Sequence, residues 1–395
     1  MDTVIIKIYG PKKFKIKQKQ LFLPEIESRK YEDLSETEKQ SKRYYLRRFI
    51  LKASGQERYL PKIDVLEILD KENKEIKYIL ISEFSIPKLI YGNSLQEVSN
   101  KDFEKVISIF IESLSRVGII IGRNTVANAR VSAIHFCKNI ILPRDILLQD
   151  IISELGKVDI NKTVDITTKE NKNGGQVFHI YSGTVERVFY DKVVDALRPK
   201  NKRKDKGHIE YERDIIKEYN LQNQEVFRYE YRIKKTQTVS RDINKTLKRE
   251  PRTFVAFKDL FSDNLSKDLL QKSWRDLVQR PENQLALIGP ALKFGSLFHI
   301  FKKSRNKGGA HSLNNALITY ALVCIIKKFG VKELRKLIFS LWDTNHPERL
   351  TKKIEKATEL TKELPYSDGI AFVDAEIDRY QLITLNLLEK TRYNE

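Results

Sequence analysis

Four side chains on four stretches of strand-like sequence could carry out chemistry together: His135, His179, Tyr190 and Glu230. Each histidine lies among apolar neighbours, and the glutamate alternates with arginines. Two imidazoles and a carboxylate make a mixed nitrogen and oxygen set that suits Mg²⁺ or Mn²⁺ held with open coordination positions. A lone histidine on a strand is more often structural than a ligand. The metal hypothesis therefore requires that these strands adjoin in one sheet.

Tyr190 is a candidate nucleophile because it ends a strand, precedes Asp191 and Lys192, and shares its side with Glu186. A tyrosine oxygen that attacks a phosphodiester forms a covalent protein–DNA intermediate and preserves the bond energy for rejoining. A metal and a nearby lysine could neutralise the charge on the non-bridging oxygens. The chain has 17 tyrosines, and tyrosine also favours strands for packing reasons alone. Packing is the competing interpretation.

The stretch Glu225–Ile233 has the clearest strand pattern of the chain, with charged and apolar residues in strict alternation. Arg228, Glu230 and Arg232 share one side, opposite Phe227, Tyr229, Tyr231 and Ile233. Three charges on one side of a strand must meet solvent, a partner charge or a ligand. An ordinary hydrated sheet face remains the alternative to a site.

The surrounding pattern predicts a mixed α+β domain over residues 1–255, followed by a smaller helical domain over residues 256–395 that binds DNA or mediates oligomerisation. Apolar residues at helical spacing predict a helix from Phe103 with Asn100 as its N-cap, and a second helix that Gly330 ends. Strand patterns mark these stretches: Thr3–Tyr9, Ile63–Leu69, Tyr78–Ser82, Arg130–Phe136, Val177–Tyr181 and Val185–Tyr190.

The net charge of +20 favours a polyanionic partner, because each phosphate contact releases counterions. A basic surface of a lysine-rich chain is the alternative. The run Arg198–Lys206, with Lys200, Arg203 and Lys204, is either a solvated loop or a DNA contact. No stretch approaches the ~20 apolar residues that cross a bilayer. Two distant cysteines without metal-type spacing indicate a reducing cytoplasm.

Four stretches, in order, resemble the replication initiators of filamentous phages, which are related to rolling-circle plasmid initiators. They begin at Glu83-Phe-Ser-Ile-Pro and continue with Val131-Ser-Ala-Ile-His135, where the family has an Arg-x-Asp pattern. Val188-Phe-Tyr-Asp-Lys is close to a family Tyr-acid-Lys pattern, and Arg228-Tyr-Glu-Tyr-Arg232 is close to Arg-Phe-Glu-x-Arg. The resemblance covers about residues 80–240. His135 and Ala133 depart from it, since they replace the acid and the arginine of the second pattern.

The resemblance implies an antiparallel-sheet, HUH-related nicking endonuclease that starts rolling-circle replication through a 5′-phosphotyrosine and a divalent metal. It places the nucleophile at Tyr190, with Tyr181 as runner-up, and Lys192 beside the phosphate. Glu230 becomes the foremost metal ligand, together with His135 and His179. Arg228 and Arg232 would contact DNA.

The implied partners are single-stranded and duplex origin DNA, with a helicase and a polymerase of the bacterial host, in whose cytoplasm the protein would act. No membrane partner is expected. A non-catalytic origin-binding initiator or repressor is the alternative of another class, and a conjugative relaxase would share the same chemistry. The departure at His135 keeps the non-catalytic alternative open.

Overall fold

The structure is a computed structural model. It describes residues 1–10, 13–17, 27–28, 35, 43–50, 59–70, 75–158, 165–170, 176–198, 209–289, 302, 312–341, 347–361 and 363–393. The described strands are β1 Thr3–Tyr9, β2 Phe14–Ile16, β3 Glu27–Ser28, β4 Arg43–Ile50, β5 Lys62–Asp70, β6 Glu75–Ser85, β7 Ile119–Ile121, β8 Arg130–Ile141, β9 Asp165–Glu170, β10 Gln176–Tyr181, β11 Val185–Asp191 and β12 Val226–Ile233.

The described helices alternate with these strands at first and then follow one another without strands. They are α1 Ile86–Tyr91, α2 Phe103–Arg116, α3 Arg123–Ala127, α4 Leu148–Leu155, α5 Lys192–Leu197, α6 Ile209–Glu218, α7 Thr236–Thr246, α8 Leu265–Val278, α9 Pro281–Leu287, α10 Ser312–Phe329, α11 Val331–Leu341, α12 Pro347–Thr361, α13 Asp368–Arg379 and α14 Leu385–Tyr393. The predicted mixed α+β class is confirmed.

The described strands form one antiparallel sheet of ten strands and a small β2–β7 pair. The order in the large sheet is β3-β4-β5-β6-β1-β8-β12-β11-β10-β9. Strand β12 comes late in the chain and inserts between β8 and β11. The hairpins predicted from the patterns at 63–82 and 177–190 are confirmed by the β5–β6 and β10–β11 pairs.

Helices cover one face of the large sheet, because the alternating strands put their apolar side chains there. Helix α4 contacts β10 and β11, α7 and α8 contact β8, and α8 also contacts β12. Phe178, Phe189, Phe227 and Tyr229 are all buried on this side, and neighbouring rings stack at centroid distances of 5.0 to 6.0 Å. The opposite face carries the polar residues of β12.

Two expectations about helix ends have different outcomes. Gly330 follows α10 with φ +82° and its N–H donates to the Ile326 carbonyl, which confirms it as the helix end. The predicted N-cap at Asn100 is wrong. Ser99 instead caps a 3₁₀ turn over Asn100–Asp102, and α2 begins after it at Phe103. The Asp102 carboxylate accepts from the Ser99 N–H at 2.7 Å, so a capping box outcompetes a single asparagine cap.

The hydrophobic core continues past residue 255, where the sequence pattern changes from strands to helices. Trp274 on α8 and Val373 on α13 belong to the same buried cluster as the sheet residues. Lys138 and Glu97 form a buried ion pair, with 2.8 Å between Nζ and Oε2. The same Glu97 oxygen accepts a hydrogen bond from the Ile383 N–H at 3.0 Å. A separate apolar cluster lies among α9, α10, α11 and α12.

Among the described residues, no helix is long and apolar enough to cross a membrane.

We expect Trp274→Ala to lower the free energy of unfolding of the whole chain by about 3–5 kcal/mol, the usual cost of truncating a buried tryptophan. Trp274 is 1% exposed, its ring centroid lies 5.9 Å from that of Tyr229, and its Nε1 donates to Asp374 at 2.7 Å. Urea denaturation followed by circular dichroism measures the effect. Phe254→Ala, at a ring that is 51% exposed, is the control and should cost less than about 1 kcal/mol. Equal losses in the two variants would show that residues beyond 255 do not stabilise the sheet.

Candidate functional site

The register of β8, β12, β11 and β10 places the predicted site residues on one face of the sheet. Arg232 lies opposite His135 on one side and Glu186 on the other. Arg228 lies opposite Tyr190. Directly opposed residues of antiparallel strands share a face. The condition set by the sequence, that these strands adjoin in one sheet, is therefore met.

Arg228 is the buried centre of this face, with 1% of its surface exposed. Its Nε donates to Glu230 Oε1 at 2.6 Å, and its Nη2 donates to Asp2 Oδ2 at 2.7 Å. Its Nη1 donates to the Ser94 carbonyl at 2.9 Å and to Asn139 Oδ1 at 3.2 Å. The guanidinium thus joins the chain's first residues, two strands and the loop after α1. An arginine bonded on all three nitrogens is a structural centre and is closed to DNA.

Glu230 is 2% exposed and both of its carboxylate oxygens are engaged. Oε1 accepts from the Tyr190 hydroxyl at 2.7 Å as well as from Arg228, and Oε2 accepts from Arg232 at 2.6 Å. Burial alone would raise the pKa of Glu230. The charges of Arg232, Arg228 and His135, with the hydrogen bond from Tyr190, outweigh burial and hold this pKa well below its ordinary value. Glu230 is ionised and anchored.

Tyr190 donates its hydroxyl proton to that carboxylate, in a partly buried position. Burial is the main reason that the pKa of Tyr190 lies well above its ordinary value, and the negative charge of Glu230 adds to it, against the charge of Arg228. The phenol is therefore neutral in this arrangement. Glu230 is the group placed to accept that proton.

Arg232 is the more accessible of the two arginines, since its side chain is 24% exposed. Its Nε and Nη2 bind Glu230 Oε2, each at 2.6 Å, and its Nη1 reaches Glu186 Oε2 at 3.4 Å. Glu186 also forms an ion pair with Lys234, whose side chain is 44% exposed. A row of alternating charges thus runs along β12 from Glu230 to Lys234, just beyond the strand, with Glu186 contributed by the neighbouring β11.

Lys192, predicted beside the phosphate, is buried in an ion pair that the sequence did not indicate. Its Nζ lies 3.1 Å from Glu212 Oε1 on α6, and both side chains are 5% exposed or less. Glu212 Oε1 also accepts from the Ser94 hydroxyl at 2.6 Å. The ion pair thus fixes α5, α6 and the loop after α1 together.

The two histidines do not complete a metal set with Glu230 as it stands. His135 lies next to Arg232, and burial, followed by the charge of Arg232, lowers its pKa. His179 lies opposite Val188, which in turn lies opposite Glu230, so His179 is two strands from the carboxylate. In the part of the chain that the structure describes, no group of three or more His, Cys, Asp or Glu side chains is placed to hold a metal ion. Because both Glu230 oxygens are engaged, Mg²⁺ or Mn²⁺ does not fit this arrangement.

The remaining predicted DNA contacts, Lys200, Arg203 and Lys204, lie outside the described residues. Sequence reasoning also missed Asp2, Ser94, Asn139 and Glu212. Only Asn139 had a usable signal, because the two-residue alternation of β8 puts it on the same side as His135. Tyr181, the alternative nucleophile, lies opposite Glu186 on the same face.

Comparisons with known proteins identify no relative: no family model matches the chain, and neither the curated proteins nor the solved structures contain a significant match.

Arg228→Met should destabilise the protein by about 3–5 kcal/mol, because it leaves the Asp2 carboxylate without its arginine and removes one of the two arginines that hold the buried Glu230. Chemical denaturation at neutral pH measures the loss. The control, Arg123→Met, breaks an ion pair with Glu104 whose two side chains are 50% and 62% exposed, and should cost at most about 1 kcal/mol. A loss at Arg228 no larger than the control would mean that the network is not what holds the strands in place.

Asp191→Asn should stabilise the protein at neutral pH and leave it unchanged near pH 4. Burial raises the pKa of Asp191 from 3.8 to about 6 in the folded protein. The stability that protonated Asp191 contributes is therefore fully present below the unfolded pKa of 3.8, and it is lost as the pH rises through about 6. The ionised form costs up to about 3 kcal/mol at neutral pH, which asparagine removes. Asparagine keeps the oxygen that accepts from the Val193 and Val194 N–H groups.

Denaturation curves at the two pH values check this effect, with Asp150→Asn, at an exposed position in the first turn of α4, as the control. The control should show no gain at neutral pH. Equal destabilisation of Asp191→Asn at both pH values would contradict the prediction.

Proposed function

We propose that this protein cuts and rejoins one DNA strand through a covalent 5′-phosphotyrosine at Tyr190, as an initiator of rolling-circle replication. The observation that carries the proposal is the hydrogen bond from the Tyr190 hydroxyl to the buried Glu230 carboxylate, beside the guanidinium of Arg232. A nucleophile, a proton acceptor and a cation then lie on one sheet face. These are the parts that transesterification of a phosphodiester needs.

The proposed step follows from the bonds of that arrangement. The Tyr190 phenolic oxygen forms a bond to phosphorus, and the bond from phosphorus to the 3′ oxygen breaks. The phenolic proton passes to Glu230, and the leaving 3′ oxygen takes a proton from water. The reverse sequence rejoins the strand and restores the Tyr190–Glu230 hydrogen bond.

The basic residues at the far end of the same face support a nucleic-acid partner. Lys7 on β1 lies directly opposite Arg130 on β8. Burial, with the neighbouring Arg130 charge, lowers the pKa of Lys7. Like charges directly opposite each other destabilise a sheet, and a bound phosphate relieves that repulsion. Tyr9, 40% exposed and two residues further on the same face, offers a ring on which an unpaired base can stack.

A non-catalytic DNA-binding protein is the second candidate, and one observation favours it. Lys192 and Arg228, two cations predicted to act on DNA, are both buried in ion pairs with acids. In such a protein the polar network would only hold the sheet together. A conjugative relaxase would use the same chemistry on another DNA, so the geometry favours neither role.

Tyr190→Phe should abolish covalent attachment and leave DNA binding intact, since it removes only the attacking oxygen. The assay incubates the full chain with a pool of single-stranded oligonucleotides of random sequence, in buffer with Mg²⁺ and Mn²⁺, and measures protein–DNA adducts that survive detergent. Tyr181→Phe is the matched control on the same face and should attach normally. Attachment by Tyr190→Phe but not by Tyr181→Phe would move the nucleophile to Tyr181. Salt-sensitive binding without adducts in wild type would favour the non-catalytic candidate.

A further inference from the structure

Arg232 reaches solvent, unlike Arg228 and Lys192, two other cations that the sequence predicts at the site. Its side chain is 24% exposed, whereas those of Arg228 and Lys192 are 1% and 5% exposed. Arg232 follows Glu230 by two residues on β12, so its side chain lies on the same face as the tyrosine hydroxyl. A phosphate placed for attack by Tyr190 would therefore meet Arg232 before the buried cations.

Arg232 also has donors to spare for such a phosphate. A guanidinium has five N–H groups, and three contacts to the described residues involve it: Nε and Nη2 with Glu230, and Nη1 with Glu186. The Glu186 contact is long, at 3.4 Å, and Glu186 has Lys234 as a second cation. Arg232 can therefore move away from Glu186 without leaving that carboxylate unpaired, and it can keep its bonds to Glu230.

We propose that Arg232 neutralises the scissile phosphate in the position that a divalent metal would otherwise take. The inference rests on the proposed function and deepens it, since it names the group that meets the non-bridging oxygens. During the step, Tyr190 oxygen bonds to phosphorus, the 3′ oxygen leaves and takes a proton from water, and Glu230 receives the phenolic proton. Arg232 donates to the non-bridging oxygens throughout, and the hydroxide that remains takes the proton back from Glu230, so that no proton is gained or lost overall.

The hydrogen bonds of Glu230 explain why an arginine, and not a metal, would meet the phosphate. Four donor atoms from three side chains surround its two oxygens: the Tyr190 hydroxyl and Arg228 Nε on Oε1, and Arg232 Nε and Nη2 on Oε2. A metal at this carboxylate would have to displace a guanidinium and would stand against its positive charge. Planar, bidentate donors of arginine suit a phosphate directly. The positive charge that the reaction requires is already present.

The test compares covalent attachment to the same random single-stranded oligonucleotides in three buffers: with chelator alone, with Mg²⁺ and with Mn²⁺. Adducts of the wild-type chain should form in chelator at an undiminished rate. Arg232→Gln should slow attachment by about 10²- to 10³-fold in every buffer, the usual cost of losing one charge-stabilising donor. The attachment rate of Arg232→Lys should lie between those of wild type and Arg232→Gln, because lysine keeps the positive charge but lacks the planar, bidentate donors of arginine.

Arg241→Gln is the matched control, since Arg241 on α7 is 63% exposed and pairs with its neighbour Asp242. It should attach as wild type does. Unfolding midpoints of all variants show whether any loss reflects misfolding, and Arg232→Lys serves if Arg232→Gln is unfolded. Wild-type adducts that form only with added metal would overturn this inference alone, as would Arg232 variants no slower than Arg241→Gln. No adducts in any buffer would overturn the proposed function itself.

Discussion

The buried guanidinium of Arg228 is the interaction on which the polar half of the sheet depends. An arginine stays charged even when it is 1% exposed, so its burial is stable only if nearby acceptors replace its hydration. Asp2, Glu230, Asn139 and the Ser94 carbonyl supply those acceptors from four separate parts of the chain. The fold must therefore bring all four acceptors together around one guanidinium. That requirement favours a fold in which β12 lies beside β8, and the residues before β1 reach the same end of the face.

The same requirement shapes the neighbouring tyrosine and glutamate. Arg228 binds Glu230 through one oxygen, so that oxygen also orients the Tyr190 hydroxyl, and Arg232 holds the other oxygen. Burial favours the neutral form of Tyr190 and the two arginines favour the ionised form of Glu230. In the Tyr190–Glu230 pair, the proton therefore stays on the phenolic oxygen. Moving that proton to Glu230 is unfavourable in this arrangement, because Arg228 and Arg232 hold the carboxylate in its ionised form.

Local pattern predicted the elements well, because alternation and helical spacing are properties of short stretches. The faces of β12, the β10–β11 hairpin and the end of α10 at Gly330 all follow from neighbours in sequence. Contacts across long separations could not be predicted. Asp2 meets Arg228 over 226 positions, and Lys192 meets Glu212 only because α5 and α6 pack together. A sequence pattern identifies which residues share a side of a strand, whereas register and helix packing decide which of them touch.

The charge of the chain and the charge of the site are different quantities. The described polar network pairs the acids Asp2, Glu186, Glu212 and Glu230 with the bases Arg228, Arg232, Lys192 and Lys234. These four acids and four bases balance one another in charge. The net charge of +20 therefore comes from residues outside this network. Because the charges of the network balance, an added anion can be neutralised there only by a cation that turns away from its acid. Glu186, which has Lys234 as a second cation, is the acid that can most easily release one.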